Sequence, residues 1–486
     1  MNEAIDATPG TNHTAARFGF QVLGHAGLFA HLDDTTLLVD PWLLGSCYWR
    51  SWWHYPPVAP PSDALLSPDF LYLTHHHFDH FHYPSMRRID KRAHVLIPKF
   101  GVDVMRRECE SLGFQTVTEL AHGEVFEPVP GLSIASFQYG FDDTALLITD
   151  GKTVIGDFND CKIRGRPLRQ IRDTFGPITF LLKNHSWAMS YPNRYDAEDA
   201  GDLALLSRDD YAADFLDTVR ELRPRYAVPF ASMVCFLHPE TFDLNDEVIT
   251  PRDVQKAFHA ANIAGTEFVE MAPGDSWESD TGFHCTDTDF YVDRAERLVR
   301  MQQEVEPKID EETARERDRA LTFEQFESYL GRFLRALPPG IRWLVRRPVS
   351  FEVPSDSHPW WTLDFRTRRV RREREPGADV GSRVRIPEGV LADSIGKGVL
   401  GIVPISMRMR VRVASGAIGN DFLFWGLLSL WEIGYLPAHR VANRRMVEAA
   451  WRRRREGLEF GASLMRRGPL VARLKSNLMS DSERFP

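Results

Sequence analysis

The sequence predicts a layered α/β sandwich over its first 290 residues, followed by a helical stretch and a smaller α/β unit. Three observations carry that prediction. Short strands alternate with occasional helices from Phe18 to about position 280, the pattern of helices laid on sheets. One of those strands, ending near Leu73, runs directly into a histidine cluster. At 486 residues the chain also exceeds one typical core, so more than one domain is expected. The expected divisions are 1–290 for the sandwich, 291–345 for a helical linker or cover, and 346–486 for the C-terminal unit.

Composition narrows the class. Apolar residues make up 43% and charged residues 26%, ordinary for a globular protein. A net charge of −9 argues against a nucleic-acid partner. Cys47, Cys109, Cys161, Cys235 and Cys285 are odd in number and lack CxxC spacing, which fits reduced thiols in a cytoplasmic protein. The first 17 residues are polar, with no apolar core of a secretory signal. The longest apolar stretch, Phe422 to Leu436, is interrupted by Glu432, so no transmembrane segment is expected.

In order, Phe18 to Leu23 reads as a first strand, turned by Gly24-His25-Ala26-Gly27. A hairpin of Phe29 to Leu32 and Thr36 to Val39 follows, ending in Asp40-Pro41-Trp42. Gly45 to Pro61 is dense in Trp, Tyr and Pro, and reads equally as an apolar substrate wall or a packed loop. Leu71 and Leu73 lie in a strand that opens into His75-x-His77-x-Asp79-His80. Two imidazoles two residues apart can face one ion, while Asp79 and His80 turn toward a second, and borderline metals accept this mixture. Helices are predicted at Tyr83 to Asp90, Val102 to Leu112, Leu168 to Thr174 and Asp209 to Leu222, with strands between them. The strand at Thr153 to Ile155 ends in Gly156-Asp157-Phe158-Asn159-Asp160, a second place for carboxylate ligands.

The HxHxDH spacing at a strand end resembles the metallo-β-lactamase superfamily, which implies an αββα sandwich and a dinuclear metal site. The resemblance implies an orienting role for Asp40 and a bridging role for an aspartate in GDFND. Asp157 is the favoured bridge and Asp160 the second choice. The stretches around Asn184-His185-Ser186-Trp187 and Val228 to Glu240 are similar to the CMP-sialic acid hydroxylase branch. On that resemblance His238 stands nearest the place of a last ligand, and His185 is a ligand or an acid/base group. Asp79 and His185 are the expected catalytic residues; the expected metal ligands are His75, His77, Asp79, His80, Asp157, Asp160, His185 and His238.

One departure matters most. Superfamily hydrolases place a histidine about twenty residues before the bridge, whereas Ser136 to Asp143 contains none and His122 comes too early. Either an imidazole is lost or a carboxylate, Asp142 or Asp143, replaces it. Exchanging nitrogen for oxygen donors shifts preference from zinc toward iron or manganese.

Asp289 to Leu337 reads as helical, cut only by Pro307. A hairpin at Trp360 to Phe365 and Arg368 to Glu373, a helix at Leu391 to Ile395, a strand at Ser406 to Val413 and an apolar helix at Phe422 to Gly434 follow. Their order loosely resembles small sterol-carrier-like lipid-binding domains. The basic tail, with Arg444, Arg445 and Arg452 to Arg455, is a solvated helix face or a seat for a phosphate-bearing partner such as a coenzyme A ester.

With these features the chain resembles most closely the non-haem di-iron monooxygenases of the platensimycin-biosynthesis type. That resemblance implies hydroxylation of a largely apolar small molecule with O2 and two iron ions, with zinc or manganese as the alternative metals. With no Rieske CxH…CxxH pair or flavin motif in the sequence, electrons would come from an external reductase. A dinuclear hydrolase of thioesters, lactones or phosphoesters is the alternative.

Overall fold

The computed structural model describes residues 16–454 and 456–457. The N-terminal segment up to position 15 and Arg455 of the basic tail lie outside the described residues. Two mixed sheets face one another. The first has eight strands in the order Gly282–His284, Ser276–Glu278, Phe18–Val22, Leu28–Leu32, Thr35–Val39, Phe70–Tyr72, His94–Pro98 and Thr116–Leu120. The second has seven: Glu267–Phe268, Tyr226–Pro229, Phe180–Lys183, Val154–Asn159, Asp143–Thr149, Leu132–Tyr139 and Val125–Val129.

Strand periodicity explains why these runs are apolar on both faces. Leu37, Val39 and Tyr72 pack between the sheets, whereas Leu38, Leu71 and Leu73 pack outward. Outside the first sheet lie Met86, from the helix Tyr83–Arg88, and Met105 and Cys109, from Val104–Ser111. On the second sheet Leu146 and Ile148 face inward while Ala145 and Leu147 face the helices Arg166–Phe175, Arg208–Leu222 and Pro251–Ala261. This is an αββα sandwich, the architecture that the resemblance of the histidine cluster implied.

The second half is locked to the sandwich rather than strung from it. Its six-stranded sheet runs Tyr195–Ala197, Arg410–Val413, Ser382–Arg385, Val349–Glu352, Trp360–Asp364 and Arg369–Glu373. The first of those strands comes from the N-terminal half and pairs in parallel with Arg410–Val413. One apolar cluster joins Tyr48 and Trp52 of the sandwich to Phe351, Trp361 and Phe424.

Pro307 does not cut the chain as expected. The helix Arg294–Arg317 runs through it, with Leu298 and Ile309 buried on either side. One missing N–H removes a single helical bond, and burial on both sides holds the helix across the gap. The break falls instead before Thr322, whose hydroxyl and Gln325 form a capping box for Phe323–Ala336. In the tail, Arg445 is committed internally, donating to the carbonyls of Phe100 and Val102 and pairing with Glu119. Among the described residues no helix is long and apolar enough to cross a membrane.

Candidate metal centre

The site lies where the strands Phe70–Tyr72 and Val154–Asn159, from opposite sheets, end side by side. Beyond Tyr72 the chain leaves its sheet, and the backbone N–H of Thr74 donates to Asp40 Oδ1 at 2.8 Å. Asp40 Oδ2 accepts from the Thr74 hydroxyl at 2.6 Å and lies 2.7 Å from His80 Nδ1. Asp40 thus fixes both the loop and the ring that opens toward the site, as its place at a strand end implied.

Two groups of donors converge there. One is His25, Asp79 and His80, all buried; the other is His75, His77 and Asp160, of which only His75 is buried. Within each group one ligand atom per residue lies within 4.8 Å of the others. Asp160 stands between them. Its Oδ2 is 3.7 Å from His75 Nε2 and its Oδ1 is 3.5 Å from His80 Nε2. Both Asp160 Oδ1 and His80 Nε2 are buried without a hydrogen-bond partner. Orphaned donor atoms of this kind are expensive in a protein interior, and two metal cations would satisfy them. The residues present therefore fit a dinuclear centre.

Electrostatics say the same. Burial holds the His75 imidazole well below its ordinary value, with His80 adding to the effect. Burial also opposes charge on His80, but Asp160, Asp79 and Asp40 outweigh it and raise this imidazole well above the usual range. Asp160 is brought down to about 2, burial being overcome by His75 and then His80. The neighbouring imidazoles favour the charged forms of Asp79 and Asp160 against burial, and a bound cation would take over that compensation.

The favoured bridge, Asp157, is in neither group. It pairs with Leu146 and Leu182, whose side chains point between the sheets, so Asp157 faces the interior as well. There its Oδ1 accepts from the Asn159 N–H, and burial, then Asp40, raises its carboxyl well above the ordinary range. The ladder shifts register between Asp157 and Asn159, and Asn159 adopts a left-handed φ of 37°. That irregular strand end brings Asp160 against His75 and His80, while Asp157, whose Oδ2 is also buried without a partner, lies close enough for His80 to act on its charge.

His185 and His238 belong to neither group, although His25 is among the charges that act on His185. His185 is buried with neither ring nitrogen hydrogen-bonded, and burial lowers it to about 3. His238 Nδ1 accepts from the Glu240 N–H, and burial lowers it to about 4. His122 Nδ1 accepts from the Gln138 N–H, away from the site. Asp142 and Asp143 edge the open group: burial raises both carboxyls, with the nearby Asp160 adding to the effect in each and His77 countering it at Asp142.

Two residues of the site escaped the sequence reading. His25 sits in the GHAG turn, and its Nε2 lies 2.8 Å from Asp79 Oδ2. The turn is fixed by Gly24, at φ 148°, where a Cβ would strike the His54 ring at 2.8 Å. The second is Tyr48, in the aromatic loop, whose hydroxyl donates to Asp79 Oδ1 at 2.5 Å. That loop is packed rather than open: Cys47, Tyr48, Trp52, Trp53 and Tyr55 are all buried. Tyr48, Trp49 and Arg50 are all left-handed, with φ of 54°, 53° and 61°. Each such non-glycine residue costs about 1–2 kcal/mol. Hydrogen bonds involving charged groups contribute about 1.5–3 kcal/mol. Those of Trp49 to Arg408 and Asp393 offset a cost of that order.

No family model matches the chain. Proteins of Mycolicibacterium smegmatis and Mycobacterium tuberculosis named as Rieske 2Fe-2S iron–sulfur proteins are 31% identical to it, over 247 and 249 residues. Each match covers 48% of this chain and 47% of that protein, so the chain spans about half the length of these curated relatives. The cytidine monophosphate-N-acetylneuraminic acid hydroxylase of Cricetulus griseus is 34% identical over 91 residues, 18% of this chain and 16% of that one. Among solved structures, CmlA, a diiron β-hydroxylase from Streptomyces venezuelae, is 18% identical. It covers 55% of this chain and 54% of its own, with a TM-score of 0.38. The metallo hydrolase Igni18 from Ignicoccus hospitalis is 16% identical, with a TM-score of 0.38 over 54% of this chain and 98% of its own.

Proposed function

We propose that the chain is a dinuclear metal enzyme of the oxygen-activating kind, a non-haem di-iron monooxygenase that hydroxylates a largely apolar small molecule. His25, Asp79 and His80 would hold one ion; His75 and His77 would hold the other, with Asp142 or Asp143 completing its shell. Asp160 would bridge the two. The observation that carries this reading is the carboxylate share of the site. Asp160 lies between the groups, Asp79 belongs to the buried one, and an Asp142–Asp143 pair stands at the open one where a third imidazole would favour zinc.

When bound and reduced, two iron ions supply the reduction of O2 and the oxidation of a C–H bond. The protein's own residues hold and orient. Asp40 fixes His80 through Nδ1, leaving Nε2 directed at the site. Phe78, packed on the Tyr48 ring at 5.8 Å between centroids, and Trp52 give that end of the sandwich an apolar wall that restricts water. Electrons would come from an external reductase. The iron–sulfur naming of the mycobacterial relatives supports a donor of that chemistry.

Metal analysis of protein prepared without added zinc, joined to O2 uptake by the chemically reduced protein, tests the reading. About two iron ions per chain and O2 consumption are expected. Stoichiometric zinc, with O2-independent hydrolysis of a thioester or lactone, would overturn it in favour of a hydrolase.

A further inference from the structure

We propose that Tyr48 is the positioning residue of the buried metal site, occupying one oxygen of Asp79 so that only the other meets the ion. This rests on the two-metal reading above and adds to it a residue outside the ligand set. The two oxygens of Asp79 face different partners. His25 Nε2 is 2.8 Å and His80 Nε2 3.5 Å from Oδ2, whereas the Tyr48 hydroxyl lies 2.5 Å from Oδ1. A carboxylate with both oxygens free can chelate an ion through both. With Oδ1 held by a phenol, Asp79 binds through Oδ2 alone, and in one orientation.

The phenol is itself held from all sides. Its ring stacks on Phe78 and meets Trp52 edge-on at 5.1 Å. Cys47, beside it, donates its thiol to the carbonyl of Phe78, tying the aromatic loop to the ligand loop. The three consecutive left-handed residues do not persist by their own preference. The Trp49 carbonyl accepts from Arg408 at 3.2 Å, and the Trp49 indole donates to Asp393 at 2.8 Å. Arg408 is buried and paired with Glu316 and Glu240. Arg408, Asp393 and Glu316 all belong to the second half of the chain. The C-terminal unit thereby acts on the metal site without lending it a ligand: it braces the strained turn that aims Tyr48.

The test is a titration of the metal-free, full-length protein with Co(II), anaerobically, read by dialysis stoichiometry and by the d–d absorption bands. Wild type should take two ions, and His25→Ala should lose the buried-site ion, which identifies that step. Tyr48→Phe keeps the ring and removes only the donor. It should bind the buried-site ion ~10–100-fold more weakly, as expected for loss of a residue that orients a ligand. Its d–d envelope should change as Asp79 gains a second free oxygen, while the other ion binds as in wild type. Affinity and spectrum equal to wild type would overturn the role of Tyr48 and leave the two-metal reading standing. A lower melting temperature of metal-free Tyr48→Phe with Co(II) binding unchanged would make Tyr48 a packing residue, again overturning the proposal. Wild type that takes up no Co(II) would overturn both.

Discussion

The two donor groups share a carboxylate yet are built differently. His25, Asp79 and His80 are buried, and each is tied to a fixed partner: His25 to Asp79, Asp79 to Tyr48, His80 to Asp40. In the other group His77 and Asp160 are partly exposed, and two raised carboxyls stand beside them, Asp142 in a turn and Asp143 at the start of the strand Asp143–Thr149. The difference teaches a division of labour. A dry site whose ligands are all oriented suits an ion that stays, whereas a site with an open flank suits the ion that meets small molecules. On the proposed reading, O2 and substrate would approach from the His77 side.

Removing the shared group should have the largest effect. Asp160→Ala is expected to abolish turnover and to lose at least one of two ions, because one carboxylate offsets the repulsion of both cations. Metal content after gel filtration checks this, and full retention of two ions would break the comparison at its centre. Next come the single-group variants. His25→Ala and His77→Ala should each lose one ion and most activity, with the survivor exchanging slowly in His77→Ala and quickly in His25→Ala. Equal exchange rates with a chelator would show that the groups do not differ as described.

A smaller effect is expected at Asp157. Because it faces the interior between Leu146 and Leu182, Asp157→Asn should keep both ions, with stability changed by ~1 kcal/mol. Loss of an ion in that variant would return the bridge to the strand interior. An effect of another kind, on stability against pH, belongs to the second half. Burial raises Glu432 to about 8, against the bonds it accepts from Tyr329 and the Gly401 N–H. Its folded value lies above its unfolded one, so its stabilising share is full below pH ~4.5 and fades as pH rises through about 8. The melting temperature should therefore fall by a few degrees between pH 5 and pH 8. Glu432→Gln should flatten that slope, and an unchanged slope would remove Glu432 as its source.

Much of the sandwich was legible because short apolar runs bounded by turn residues name strands buried on both faces, and HxHxDH names a metal loop by local spacing alone. Asp40 was reached only through the resemblance, since its own stretch reads equally well as a turn aspartate. His25 was not legible: a lone histidine in a glycine turn becomes a donor only when the fold brings it to Asp79. Tyr48 was hidden in a loop whose aromatic density suggested either a wall or a packed loop, and only the latter is observed. The choice between Asp157 and Asp160 turned on a register shift and the left-handed Asn159, which composition does not encode. The short strand Tyr195–Ala197 was also missed, since its partner Arg410–Val413 lies in the other half of the chain.

The central claim is a pair of metal ions on either side of Asp160. Anomalous diffraction at the iron edge, from crystals of the reduced protein loaded with Fe(II), addresses it directly. Two peaks are predicted, one among His25, Asp79 and His80, the other beside His75 and His77, with the Asp160 carboxylate between them. A single peak, or one seated at Asp157, would contradict the account.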